Sequence, residues 1–86
     1  MNTAALARMQ IRVVRTVFRS ESARLARVQP RDAGAVDRLR ARSVELLDHA
    51  QDSLNGDGMK SPELLDELQS ARNELNEGAA RSSALV

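Results

Sequence analysis

The chain contains no cysteine, tryptophan or tyrosine, and Phe18 is its only aromatic residue. Without cysteine it can form neither disulfide bonds nor thiolate metal sites. With one aromatic ring, its core must be built mainly from aliphatic side chains, and little remains for stacking on nucleic-acid bases. No apolar run approaches the roughly 20 residues that span a bilayer, and arginines interrupt the N-terminal stretch where a signal peptide would be apolar. These absences favour an intracellular, cytoplasmic protein with no transmembrane segment.

The length of 86 residues leaves room for one small core. Small domains bury a smaller share of their surface, and association with another chain compensates for a thin core. We therefore expect a single helical domain over residues 1–78, followed by a flexible tail over residues 79–86.

Charge is divided between the two halves of the chain. Residues 1–42 carry ten arginines and three acidic residues, whereas residues 43–86 carry three basic and nine acidic residues, so the net charge is only +1. Such asymmetry is typical of a surface that meets nucleic acid, a membrane or a partner, or of two halves that neutralise each other within one fold.

Apolar residues recur with the period of an α-helix and predict three amphipathic helices, over about 3–28, 33–54 and 62–77. The first is expected to continue through Ser20–Ser22 and to stop before Pro30. Asp32 is the predicted cap of the second, and Gly78 the predicted end of the third. The predicted fold class is all-α, as a small up-down-up bundle or an extended helical hairpin.

The turn between the second and third helices is marked by "NGDG", residues 55 to 58, and by Ser61 and Pro62. Serine followed by proline at the first helical position is a helix-start signal. The core-facing residues expected on the three helices are Leu6, Met9, Val13, Val14, Val17 and Phe18; Val36, Leu39, Leu46, Leu47, Ala50 and Leu54; and Leu64, Leu65, Leu68, Ala71 and Leu75.

Four arginines of the first helix form one stripe, at steps of four, three and four residues: Arg8, Arg12, Arg15 and Arg19. On a helical wheel the stripe lies opposite the expected apolar face. A stripe opposite the apolar face is in most amphipathic helices simply a solvated face, and this is one interpretation; because solvated faces usually mix charges of both signs, the other is an anionic partner. Such a partner would be the chain's own third helix, a second copy or another molecule, and the acidic residues expected to contribute are Glu63, Asp66, Glu67 and Glu74.

The chemistry of a catalytic or metal site is missing from the sequence. His49 is the only histidine and falls away from the apolar face, where solvent exposure is expected. In a calcium-loop register that begins at Ser53, Leu64 stands where a bidentate carboxylate is required. We therefore predict no enzyme activity, no cofactor and no metal site.

The basic first helix also suits phosphate contacts, which makes non-specific nucleic-acid binding an alternative. The chain shows no helix-turn-helix motif and no Asn or Gln beside the arginines for reading bases. A helix lying on a membrane surface is less favoured, because tryptophan or phenylalanine would be expected at the interface.

Residues 46–75 read as a helix, a turn rich in Asn, Gly and Asp, a proline and "PELLDELQ". This order resembles the helical hairpin of type III secretion needle subunits and of their small co-chaperones. The matching positions are Pro62, Leu64, Leu65, Leu68 and Gln69. The turn comes later in the chain than in that family, and the arginine-rich helix departs from its pattern. The resemblance implies a secretion-apparatus subunit or co-chaperone.

Together these features predict a small, non-enzymatic helical module for protein–protein interaction, such as an adaptor, a regulator or an assembly subunit. A protein partner or a homo-oligomer is expected. Nucleic-acid binding through the N-terminal helix and the secretion-apparatus role are the alternatives.

Overall fold

The computed structural model describes residues 2–32, 34–58 and 61–84. They form three α-helices, α1 (Thr3–Arg27), α2 (Ala35–Gly56) and α3 (Pro62–Ala84), and no strand occurs among them. The predicted all-α class and the number of helices are confirmed.

The helices form an up-down-up bundle in which each one packs against both others. The hydroxyl of Thr3, at the start of α1, donates a hydrogen bond to Asp57, just after the end of α2. Arg72 of α3 pairs with Asp48 of α2, at 2.7 Å. Arg8 pairs with Glu67 and Arg19 with Glu74, which makes α1 and α3 parallel, so α2 is antiparallel to both and the chain is a bundle and not an extended hairpin.

Short polar side chains cap two of the helices. Asn2 Oδ1 accepts a hydrogen bond of 2.7 Å from the N–H of Ala5, which satisfies a backbone donor in the first turn of α1. At α3 the predicted signal is confirmed, because Ser61 Oγ accepts from the N–H of Leu64 at 3.4 Å and Pro62 is the first helical residue. The helix α1 is continuous through Ser20–Ser22 and ends at Arg27.

The start of α2 lies later than expected. Asp32 Oδ1 accepts a hydrogen bond of 3.0 Å from the N–H of Gly34, and the carbonyl of Asp32 accepts from the N–H of Ala35. A turn held by Asp32 therefore precedes the helix, which begins at Ala35. The expected first residue, at position 33, lies outside the described part of the chain. At the other end, α2 extends to Gly56, two residues beyond the prediction.

Gly78 does not end α3, and this expectation was wrong. The helix continues to Ala84, and Ala79 is buried. The ring of Phe18 lies against Gly78 so closely that a Cβ added there would sit 2.7 Å from Cε1 of the ring. Gly78 is therefore a packing position inside the helix. Residues 79–84 of the predicted tail belong to α3, while 85 and 86 lie outside the described residues.

The core is a single cluster with contributions from all three helices. Its buried members are Ala7, Ile11, Val14, Phe18, Leu47, Ala50, Leu54, Leu64, Leu68, Ala71 and Leu75. On α1 the buried side chains follow steps of four, three and four residues, which is the helical repeat of one narrow stripe. Val36 and Ala79 are also buried.

The buried stripe of α1 is rotated by about a quarter turn from the face that the sequence predicted. Of the six expected core residues of α1, only Val14 and Phe18 are buried. Apolar residues cover more than half of the circumference of α1, and two neighbouring helices cover only part of it. The bundle buries the arc that contains Ala7 and Ile11.

The remaining expected core residues of α1 are exposed, and so is one such residue on each neighbouring helix. These six side chains are between 37% and 53% exposed: Leu6, Met9, Val13, Val17, Leu46 and Leu65. Their prediction as core residues was wrong, because each lies on an arc of its helix that no other helix covers.

Candidate interaction surfaces

The arginine stripe lies beside the core on the α3 side of α1, and not opposite the core as expected. Glu74 of α3 receives two arginines there. Arg15 Nε is 3.1 Å from Glu74 Oε2, and Arg19 Nε and Nη2 are 2.8 and 2.6 Å from Glu74 Oε1. Both carboxylate oxygens thus accept charge-assisted hydrogen bonds. The partner of Arg15 and Arg19 is therefore Glu74 of the chain's own third helix, α3.

The remaining two arginines of the stripe differ from each other. Arg8 Nε lies 3.9 Å from Glu67 Oε1, and both side chains are more than two-fifths exposed, so the pair is weak. Arg12 forms no ion pair with any residue that the structure describes. All four arginines line a groove of about 310 Å³ between α1 and α3, with Glu67 and Thr16. We call this the arginine groove.

The environment of Glu74 shifts its ionisation. Partial burial is the largest single influence and acts to raise the pKa of the Glu74 carboxyl, but hydrogen bonds from Arg19 and Arg15 and their positive charges outweigh it. The pKa of Glu74 therefore lies below its ordinary value, and the carboxylate is ionised at neutral pH.

Two of the predicted acidic site residues take no part in this groove. Glu63 and Asp66 are exposed on α3, and neither forms an ion pair within the described part of the chain. The structure thus brings Arg8, Arg15 and Arg19 together with the other two predicted acids, Glu67 and Glu74.

A second surface, which the sequence had placed in the core, is apolar and exposed. It consists of Leu6, Met9, Val13 and Val17 on α1 and Leu46 on α2. We call it the apolar α1–α2 face. A groove of about 260 Å³ runs along it, lined by Met9, Gln10, Val13, Val14, Leu46 and His49. The excess width of the apolar arc of α1 is the sequence signal that would have indicated it.

One polar atom of Gln10, a residue that lines this groove, has no hydrogen-bond partner. Gln10 Oε1 is buried and accepts no hydrogen bond from the described residues. A buried acceptor without a donor costs about 1–3 kcal/mol of stability. His49 lies at the edge of the same groove and is exposed, as predicted.

The described residues contain neither a candidate metal site nor a helix that could cross a membrane. No group of three or more histidine, cysteine, aspartate or glutamate side chains lies close enough together there to hold a metal ion. None of the three helices, over the residues described, combines the length and the apolar character that crossing a membrane requires.

Comparison with known proteins gave no match: no protein-family model, no curated protein and no solved structure is significantly similar to this chain. The resemblance to needle subunits therefore stays a prediction, and the surfaces of the bundle are the basis for inferring a function.

Proposed function

We propose that this chain is a small, non-enzymatic protein–protein interaction module and that its apolar α1–α2 face is the binding surface. The observation that carries the proposal is the exposure of four large apolar side chains on consecutive turns of α1, next to Leu46 of α2. Large contiguous apolar patches on small soluble proteins are typical of interaction sites.

The apolar energy available on this face offsets part of the cost of association. Burying a large aliphatic side chain fully is worth about 1.5–3 kcal/mol, so covering five that are near half-exposed supplies on the order of 5 kcal/mol. Association costs translational and rotational freedom of similar size, and a partner must add polar contacts to bind well. The exposed His49, at the edge of this groove, is a polar group that can receive them.

The arginine groove supports the fold more than it supports binding. Glu74 and Glu67 already occupy three of its four guanidinium groups. A protein partner that docked there would have to compete with acids held on the neighbouring helix. This is why the proposal places the interaction on the other side of α1.

Site-specific photo-crosslinking tests the proposal. A photoreactive amino acid is placed at Val13, in the apolar α1–α2 face, and separately at Ser70, which is exposed on α3. We expect position 13 to give one discrete adduct of defined mass in the cells that produce the protein, and position 70 to give none. Equal adducts at both positions, or none at 13, would contradict the proposed surface.

Nucleic-acid binding is the second candidate, and it rests on one observation. Arg12 contributes a guanidinium group without an acidic partner among the described residues, in a groove lined by three further arginines. Contacts to phosphates would be independent of sequence and would weaken steeply with salt. Retention of a generic duplex at low salt that is lost at higher salt would support this candidate, and no retention at low salt would remove it.

The secretion-apparatus alternative rests on the helical hairpin made by α2 and α3, with Pro62 at the start of α3. An assembly subunit of that kind would polymerise, or would form a stable complex with another short helical chain. Electron microscopy of the concentrated protein tests the first version, because filaments would support it and dispersed particles would count against it.

A further inference from the structure

One end of the apolar α1–α2 face is basic. Since α1 and α2 are antiparallel, the last turns of α1 lie beside the first turns of α2. On α1, Arg24 and Arg27 follow Val13 by eleven and fourteen residues, which places them within about 40° of it around the helix. On α2, Arg42 precedes Leu46 by four residues and lies about 40° from it. The three arginines therefore extend the face beyond its apolar residues.

Two cations at this end have no acidic partner among the described residues. Two ion pairs of this end are internal to the chain: Arg24 with Glu21, and Arg38 with Asp32. Arg27 and Arg42 are exposed, and neither forms an ion pair or a side-chain hydrogen bond with another described residue. The basic end therefore carries two positive charges that the described part of the chain does not neutralise.

The described residues at the opposite end of the face carry no unpaired positive charge. Ser53 follows Leu46 by seven residues, on the same side of α2, and is uncharged. Asp57, the acid near that end, accepts a hydrogen bond from Thr3. A partner therefore needs acidic groups at only one end of the apolar surface that it presents.

The apolar residues between the two ends have the spacing that suits a helix. Met9, Val13 and Val17 are four residues apart and form one ridge along α1. From Leu6 to Val17 the face extends over about 16 Å, which is three turns of an α-helix. The groove beside the ridge is lined by residues of α1 and α2 and by none of the described residues of α3. A helix placed there would convert the three-helix bundle into a four-helix bundle.

We propose that the occupant of this groove is an α-helix of another protein, with an apolar stripe of about three turns and acidic side chains at one end of that stripe. The inference rests on the proposed function and specifies the chemistry of the partner. The acidic side chains contact Arg27 and Arg42, and the apolar stripe packs on the ridge of α1. A partner with basic side chains at that end would bring like charges together and is disfavoured.

An anionic lipid surface offers similar chemistry, but the shape and composition of the face favour a helix. A membrane contacts the outer side of a single amphipathic helix, whereas the groove of about 260 Å³ lies between two helices. The chain contains no tryptophan, and its only aromatic residue, Phe18, is buried in the core. The face therefore has no aromatic side chain for the lipid interface.

Two synthetic peptides test this partner, with binding to the full chain followed by fluorescence anisotropy. Both peptides have the same three-turn stripe of leucines at helical spacing, and one ends in a turn of glutamates where the other ends in a turn of lysines. We expect the glutamate peptide to bind the wild-type chain about tenfold more tightly than the lysine peptide, and the difference to shrink as salt is raised.

Arg42→Glu distinguishes a lost charge contact from a loss of folding. It should weaken binding of the glutamate peptide about tenfold and strengthen binding of the lysine peptide, a gain that unfolding cannot explain. Arg12→Glu is the matched control, because Arg12 is exposed, has no ion pair among the described residues and lies in the arginine groove. It should leave both dissociation constants unchanged.

Three results would overturn the acidic helix as the partner: equal affinity for the two peptides, no binding of either peptide, or equal effects of Arg42→Glu and Arg12→Glu. Phosphatidylglycerol vesicles that bind the chain more tightly than the glutamate peptide does would overturn it in favour of a lipid surface. The proposed function fails separately. A discrete adduct at position 13 together with any of these results would refute the acidic helix and leave the interaction surface standing, whereas no adduct and no peptide binding would refute both.

Discussion

Replacing Gly78 with alanine should destabilise the bundle, although alanine is the better helix former. Inside a helix the substitution ordinarily stabilises by about 0.5–1 kcal/mol. Here the new Cβ would lie 2.7 Å from Cε1 and 3.0 Å from Cζ of the Phe18 ring, which is itself buried. Moving a packed ring costs about 1–3 kcal/mol. We expect a net loss of about 0.5–2 kcal/mol in the free energy of unfolding.

The contact with Phe18 is isolated by a double-mutant cycle. Phe18→Leu removes the ring atoms that the new Cβ would meet, and should itself cost less than the about 3–5 kcal/mol of a Phe→Ala change. In that background Gly78→Ala should stabilise by about 0.5–1 kcal/mol, because only the gain in helix propensity remains. The sign of the effect of Gly78→Ala therefore reverses between the two backgrounds.

Urea unfolding followed by circular dichroism measures the cycle, with the midpoint and slope of each transition recorded. Gly56→Ala is the matched control, since no atom lies within 4 Å of a Cβ at this glycine of α2, and it should not destabilise. Stabilisation by Gly78→Ala in the wild-type background, equal to that in the Phe18→Leu background, would refute the packing role of Gly78.

Three further predictions concern the ion pairs and the turn. Glu74→Gln should lower stability by about 1 kcal/mol at pH 7, where the carboxylate holds two arginines. Folding lowers the pKa of Glu74, so its contribution to the free energy of unfolding is complete above the unfolded pKa of 4.5 and is lost as pH falls through the folded pKa. The plots of stability against pH for the wild type and for Glu74→Gln should therefore converge in acid, and parallel plots would refute this. Gly58→Ala should cost about 1–2 kcal/mol in urea unfolding because φ is +68° there, and no loss would contradict that turn geometry. Arg15→Glu should lower the melting temperature by several degrees while Arg12→Glu leaves it nearly unchanged, and equal losses would show that Arg12 also supports the fold.

Local sequence chemistry predicted the number of helices, the continuity of α1 and the start of α3. Serine and proline at residues 61 and 62 fix the start of α3, and the absence of any turn signal stronger than Ser20–Ser22 agrees with a continuous α1. These features depend on a few neighbouring residues, so they are readable without knowledge of the tertiary fold.

The orientation of α1 could not be read in the same way. Its apolar residues occupy more than half of the circumference, and the sequence does not say which arc the other helices cover. The register between α1 and α3, which brings Arg15 and Arg19 to Glu74, depends on packing between residues more than fifty positions apart. Charge segregation indicated that an acidic partner exists, with the chain's own third helix as one option.

Gly78 shows how packing overrides local propensity. Glycine near the end of an apolar pattern usually marks a helix end. In this bundle the missing side chain admits the only aromatic ring of the chain, and the helix continues beyond it. The presence of Phe18 as the one aromatic residue of the chain is the only sequence feature related to this contact.

The central claim, that the apolar α1–α2 face is the binding surface of this chain, is tested most directly by the amide signals of the ¹⁵N-labelled chain inside the cells that produce it, compared with those of the purified chain. We predict that the amides of Met9, Val13, Val17 and Leu46 shift or broaden together, while those of Arg15 and Arg19 in the arginine groove stay unchanged. Changes confined to the arginine groove, or no difference between the two samples, would contradict this claim.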